Sequence, residues 1–217
     1  MVPASKSTGK VLRIFLYITI GLDSILLICS YFLAFHFDFY NQYVELVDFV
    51  ISIFQVPVLI LSIIFYLIWL FRVHKDIHTL DGGYSISPGG ALARVLIPFY
   101  NIWGLWNVYS TMAEQFKKSI TTFGLGTKLR KYLPFYFVLY WVSETLNRYL
   151  TLYGLDGAGI VWFISYGMDL TLAIIYILMV KAVTTALHIK SNAAAEEKVM
   201  NGPDIVVDEL GHKKIDG

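Results

Sequence analysis

Charge is scarce in this chain. Of 217 residues only 15% are Asp, Glu, Lys or Arg, and 17 basic against 16 acidic side chains leave a net charge of +1. So even a balance offers no basic excess for nucleic acid. Cysteine is scarcer still: a single Cys29 cannot form an internal disulfide, which removes the secreted disulfide scaffolds. Complete enzyme motifs are also lacking. Gly83-Tyr84-Ser85-Ile86-Ser87 is one glycine short of a nucleophile elbow and has no strand before it, and Gly124-Leu125-Gly126 lacks the third glycine of a dinucleotide fingerprint. What is abundant is apolar surface, at 57% hydrophobic and 16% aromatic residues with a mean hydropathy of +0.62. Such a composition excludes disorder, collagen and coiled coil, and it points to lipid as the solvent.

The apolar residues fall into long runs. Val11 to Phe35, Leu46 to Phe71, Tyr132 to Tyr153 and Ile160 to about Ala182 each have the length of a bilayer crossing. The first follows a basic leader (Lys6, Lys10, Arg13) but runs on too far for a cleaved signal peptide. A fifth run, Ala91 to Phe116, contains Arg94, Pro98 and Asn101, which suit a continuous spanning helix poorly. The distribution of positive charge decides between four and five crossings. With four, and the N-terminus inside, the inner regions 1–13, 72–131 and 181–217 hold 3, 8 and 5 Lys or Arg, and only Arg148 falls elsewhere. The outer loops, His36 to Glu45 and Gly154 to Gly159, hold none. The expected fold is therefore an all-α integral membrane domain over 1–190 with four transmembrane helices, both termini cytoplasmic, and a mobile tail over 191–217. Tyr40, Tyr43, Tyr153 and Trp162 are expected at the outer interface, and Tyr66, Trp69 and Tyr132 at the inner one.

In the fifth run, Ile102, Leu105, Trp106, Tyr109, Met112, Ala113 and Phe116 recur at helical spacing opposite Asn107, Ser110, Glu114 and Lys117. This is an amphipathic helix begun by Pro98. Its moment and length favour an in-plane helix docked under the bundle, with a re-entrant hairpin turning at Pro98 as the alternative.

Trp69 and Arg72 at the end of the second run, Tyr84-Ser85-Ile86-Ser87-Pro88-Gly89-Gly90, and Ile97-Pro98-Phe99-Tyr100-Asn101-Ile102-Trp103 together resemble the hallmark stretch of the domain-of-unknown-function 4328 membrane proteins. The resemblance covers about residues 60 to 116. It implies a bacterial-type multi-pass protein of the inner (plasma) membrane and supplies no activity. Ser87, Pro88, Gly89, Pro98 and Asn101 are the positions that carry it.

Ionisable groups inside the spans are the first functional candidates, because they are costly there without partners. Asp23, Glu144, Arg148 and Asp169 come to similar depths, with Gln55 and Asn147 nearby, so one polar cluster is expected. Polar glue between helices is the commoner use of such groups, and a proton, cation or small polar ligand site is the functional one. His74 and His78, spaced i, i+4, are weak metal candidates lacking a third ligand. No cofactor is implied. The functional expectation is an accessory, assembly or sensing component that uses its amphipathic helix. A transporter or channel subunit built on the buried carboxylates is the alternative, and an intramembrane enzyme comes last. The partners implied are the lipid bilayer and either further copies of the chain or another membrane protein.

Overall fold

The computed structural model describes residues 3–153, 159–200, 206–207 and 213–214, without the side chains of 98–102, 153 and 198 or those beyond 200. Four long helices dominate: α1 (Ser5–Phe35), α3 (Glu45–Leu80), α6 (Phe123–Tyr153) and α7 (Gly159–Met200). The three-residue α2 (Phe37–Phe39) and one π turn (Tyr40–Val44) join α1 to α3. Two further helices, α4 (Pro88–Leu96) and α5 (Pro98–Lys117), lie between α3 and α6. The only strands among the described residues pair Val206–Val207 with Lys213–Lys214.

α1, the run Phe37–Leu80 and the stretch Gly159–Glu197 are long and apolar enough to cross a membrane. α6 is not among them: Lys128, Arg130 and Lys131 precede its apolar centre, and Ser143, Glu144, Asn147 and Arg148 interrupt its second half. The hydroxyls on these helices fold back onto their own backbones. Thr19, Ser24, Ser62, Thr145, Thr171 and Thr184 each donate to the carbonyl four residues earlier, at 2.6 to 3.0 Å. That satisfies a donor without help from water, as an apolar surrounding demands.

The helices extend past the apolar runs because the flanking polar residues also favour helix. α3 continues through Arg72 to Leu80 and stops where Asp81 becomes extended ahead of Gly82 and Gly83. α7 continues unbroken through the first ten residues of the expected tail, to Met200. Ser87 starts α4, its Oγ accepting from the Gly90 amide at 3.1 Å with Pro88 at the first helical position. The loop between α6 and α7 and the side chain of Tyr153 lie outside the described residues.

Antiparallel registers fix the bundle. At its basal end, where α1 begins, the Asp76 carboxylate of α3 accepts from the Ala4 and Ser5 amides at 3.0 and 2.8 Å. Further along the pair, Arg72 donates to Thr8 at 2.8 Å and Phe15 stacks on Phe65 at 5.0 Å. α1 also runs antiparallel to α7, with Gly9 against Thr184 at one end and Ala34 against Gly159 at the other. α7 in turn meets α6, where Tyr176 and Tyr136 lie 5.7 Å apart. The order in space is α3, α1, α7, α6, and the α4–α5 hairpin closes the basal half of this arc by touching α3 on one side and α6 on the other.

The direction of α5 is set by its contacts with α6. Trp106 stacks edge-on with Phe137 at 5.6 Å and lies under the Arg130 guanidinium at 5.3 Å, while Ala113 and Lys117 sit against Gly126. α5 therefore runs alongside α6, antiparallel to it, rather than across the bundle mouth. Its apolar stripe is used internally: Leu105, Tyr109, Met112, Ala113 and Phe116 are buried with Trp69, Leu70, Val180 and Val183, and Trp106 packs against the same core. Ile102 and Asn101 lie outside the described side chains. Tyr66 and Trp69 likewise pack into this interior, where Gly9 lets the Trp69 indole approach α1. At the turn of the hairpin Leu96, Ile97 and Trp103 are exposed.

α4 and α5 approach closely at Gly104, where a Cβ would come within 1.9 Å of the Arg94 carbonyl oxygen. Gly104→Ala is expected to force the hairpin apart and cost about 2 kcal/mol, read as a lower Tm in detergent. Gly124→Ala, which meets nothing within 4 Å, should leave Tm unchanged.

Candidate functional site

Between the distal halves of α3 and α6, beyond the reach of the α4–α5 hairpin, lies a cavity of about 290 Å³. Each of the four long helices supplies one face to it, at helical spacing. α1 contributes Leu16, Thr19 and Asp23; α3 contributes Gln55, Leu59 and Ser62; α6 contributes Tyr136, Tyr140, Ser143, Glu144 and Asn147; and α7 contributes Asp169, Leu172, Ala173 and Tyr176.

Asp23 is 2% exposed and accepts from Gln55 Nε2 at 2.5 Å. Asp169 accepts from the Ser143 hydroxyl and from Asn147 Nδ2 at 3.2 and 3.4 Å, while the Asn147 carbonyl accepts from the Ser165 hydroxyl. Neither aspartate takes part in any of the three ion pairs found among the described residues. Two carboxylates that face one cavity repel each other when both are ionised, and a proton or a cation relieves that repulsion.

Four members of the expected cluster thus meet here: Asp23, Gln55, Asn147 and Asp169. Glu144 reaches the rim. Arg148 does not join: its Nε pairs with Glu144 at 2.8 Å, and its side chain is 74% exposed. The reason is rotational. On α6, Ser143 and Asn147 share one face, and Arg148 follows Asn147 by one residue, about 100° round the helix. Matched depth was therefore insufficient, and the i, i+4 pairing with Glu144 is made on the outer surface. Sequence reasoning also missed Ser143, Ser165, Tyr136, Tyr140 and Tyr176. A signal for them was present, since 136, 140, 143, 147 and 165, 169, 172, 176 are single helical faces carrying the polar groups. At the base of the cavity the buried hydroxyls of Tyr66, Tyr109 and Tyr176 lie close to one another.

The two histidines serve a different place. His74 is fully buried; a ring nitrogen 2.9 Å from a carbonyl must carry the proton, so its Nδ1–H donates to Leu70, and Nε2 is left without a partner. His78 Nε2 similarly meets the Ile86 carbonyl at 2.9 Å, and both rings flank Tyr84 at 5.6 and 5.5 Å. They pin the 81–87 turn to α3. Among the described residues no group of three or more His, Cys, Asp or Glu is placed to hold a metal ion. Of the positions that carry the family resemblance, Trp69 is core, Arg72 holds Thr8, Ser87 and Pro88 begin α4, Pro98 begins α5, and a Cβ on Gly89 would meet open space.

No family model, curated protein or solved structure matches the chain.

This geometry ranks two substitutions on α6. Asn147→Ala strips hydrogen bonds from both Asp169 and Ser165 and should cost about 1–3 kcal/mol. Arg148→Ala removes only an exposed pair and should cost less than about 1 kcal/mol; thermal unfolding of the two variants in detergent checks the order.

Proposed function

We infer that the chain is a multi-pass membrane protein whose intramembrane chamber binds a proton or a small cation, as a transporter or channel subunit would. One observation carries the reading: Asp23 and Asp169, on different helices, front a single cavity and are met only by amides and hydroxyls, with no cationic side chain paired to either among the described residues. Pure structural glue calls for neutral donors and acceptors in balance. Two carboxylates exceed what such glue needs and are costly to keep in a bilayer without an ion to answer them.

The same reading takes α6 as the fourth crossing, beside the three helices that are long and apolar enough. It makes the α4–α5 hairpin re-entrant: α5 lies along α6, and the exposed Leu96, Ile97 and Trp103 at its turn suit lipid. With the basal end cytoplasmic, Lys and Arg gather on the side that positive charge favours. The accessory reading loses its main support, because the apolar stripe of α5 is occupied by the bundle itself. The resemblance of residues 60 to 116 to the domain-of-unknown-function 4328 proteins concerns architecture within this reading.

Infrared difference spectra of the purified protein, recorded between neutral and acid buffer, should show the C=O stretch of protonated carboxyl groups in the wild type. Asp23→Asn and Asp169→Asn should each reduce that band, and the double variant should remove most of it while remaining folded by circular dichroism. A band unchanged in the double variant would overturn proton binding at this chamber. Proteoliposomes with a trapped pH-sensitive dye then separate transport, seen as carboxylate-dependent proton flux, from binding alone.

A further inference from the structure

At the basal end, away from the carboxylate chamber, a second cavity of about 230 Å³ opens between α1 and α7. Its chemistry is opposite in sign. Lys6 and Arg13 line it from α1 and His188 from α7, with the hydroxyl-bearing Ser5 and Thr185 between them. Arg13 uses only Nε, which donates to the Gly9 carbonyl at 3.3 Å. Its two terminal nitrogens and the Lys6 ammonium make no hydrogen bond or ion pair with described residues. Asp76, the carboxylate that touches Ser5, accepts from the Ala4 and Ser5 amides and forms no ion pair with Lys6 or Arg13. Cations gathered around a hollow with hydroxyl donors select a phosphate-like anion, which the Arg fork holds by paired charge-assisted bonds.

The surroundings say where that anion comes from. Lys6, Lys10, Arg13 and Tyr17 share one face of α1, and Ile174, Leu178, Lys181, Thr185 and His188 share one face of α7. The two faces meet where the Lys181 ammonium lies over the Tyr17 ring at 5.4 Å. Immediately distal to that contact both helices turn apolar and exposed, at Ile18 on α1 and at Ile174 and Leu178 on α7. A basic, hydroxyl-lined hollow with an aromatic–lysine rim and an apolar strip above it reproduces the polarity profile of a phospholipid, headgroup first and acyl chain after.

We propose that this basal cavity between α1 and α7 binds the phosphate headgroup of an anionic lipid, whose acyl chain lies along Ile18, Ile174 and Leu178. The site rests on α1 and α7 crossing a bilayer and is independent of the carboxylate chamber.

The test uses the full chain in dodecyl maltoside micelles doped with dioleoylphosphatidylglycerol, dioleoylphosphatidylcholine or no lipid, and separately with millimolar inorganic phosphate. Phosphatidylglycerol is expected to raise Tm by about 5 °C over phosphatidylcholine. Lys6→Gln/Arg13→Gln should lose about three quarters of that shift, whereas Lys118→Gln/Lys128→Gln, which removes the same charge from exposed positions elsewhere, should keep it. Thr185→Phe fills the hollow without touching its charges and should also lose the shift, as diffuse attraction would not. An equal shift in Lys6→Gln/Arg13→Gln and wild type overturns the site. A shift reproduced in full by inorganic phosphate overturns the lipid as its source. Failure of the chain to enter micelles at all speaks instead against the membrane reading.

Discussion

The close approach of the first long helix to the last sets the rest of the bundle. α1 and α7 lie against each other from Gly9 and Thr184 at the basal end to Ala34 and Gly159 at the distal end. Small residues at both ends make this possible. A Cβ on Gly159 would come within 2.8 Å of the Ala34 backbone, and one on Gly9 would meet Trp69 and Thr184 together. In lipid, where apolar side chains gain little by leaving the solvent, backbone proximity of this kind is a main source of helix association. Once the seam is formed, α3 lies mainly against α1 and α6 against α7. The chamber is the space left between α3 and α6, and the α4–α5 hairpin fills only its basal half.

Much of this was legible in the residues because the chemistry is local. Long apolar runs gave the positions of the long helices, Ser87-Pro88 the start of α4 and Pro98 the start of α5. The meeting of Asp23, Gln55, Asn147 and Asp169 followed from depth along the helix. Rotation about the helix was the neglected coordinate, and it is what removes Arg148 from the cluster and admits Ser143 and Ser165. The direction of α5 was not legible. A hydrophobic stripe records that one face is covered, and a bilayer surface or a neighbouring helix satisfies the pattern equally. The deciding feature, Gly126 opposite Ala113, is a long-range contact that no local pattern reports. The basal cavity escaped sequence reading for a related reason, since its cations are divided between residues at opposite ends of the chain.

Away from the basal α1–α7 cavity, the two ends of the bundle use their polar groups differently. Basal polar groups lock elements to one another: Asp76 caps α1, Arg72 holds Thr8, Lys190 pairs with Asp81, and the histidines grip the 81–87 turn. Distal polar groups face a hollow instead. Tyr136, Tyr140 and Tyr176 form its floor and separate it from the packed core around Tyr109, Met112 and Phe116.

The partners of the two buried aspartates also bear on how the bundle assembles. Asp23 is met by Gln55 within the α1–α3 hairpin, and Asp169 by Ser143 and Asn147 within the α6–α7 hairpin. Each hairpin is thus internally supplied with hydrogen bonds for its own acid and can enter a bilayer before the other exists. The opposition between the two carboxylates arises only at docking, when the α1–α7 seam closes and brings them to a common space. A group that neutralises that space would therefore favour the joined hairpins over the separated ones, and occupancy of the chamber would be coupled to completion of the fold.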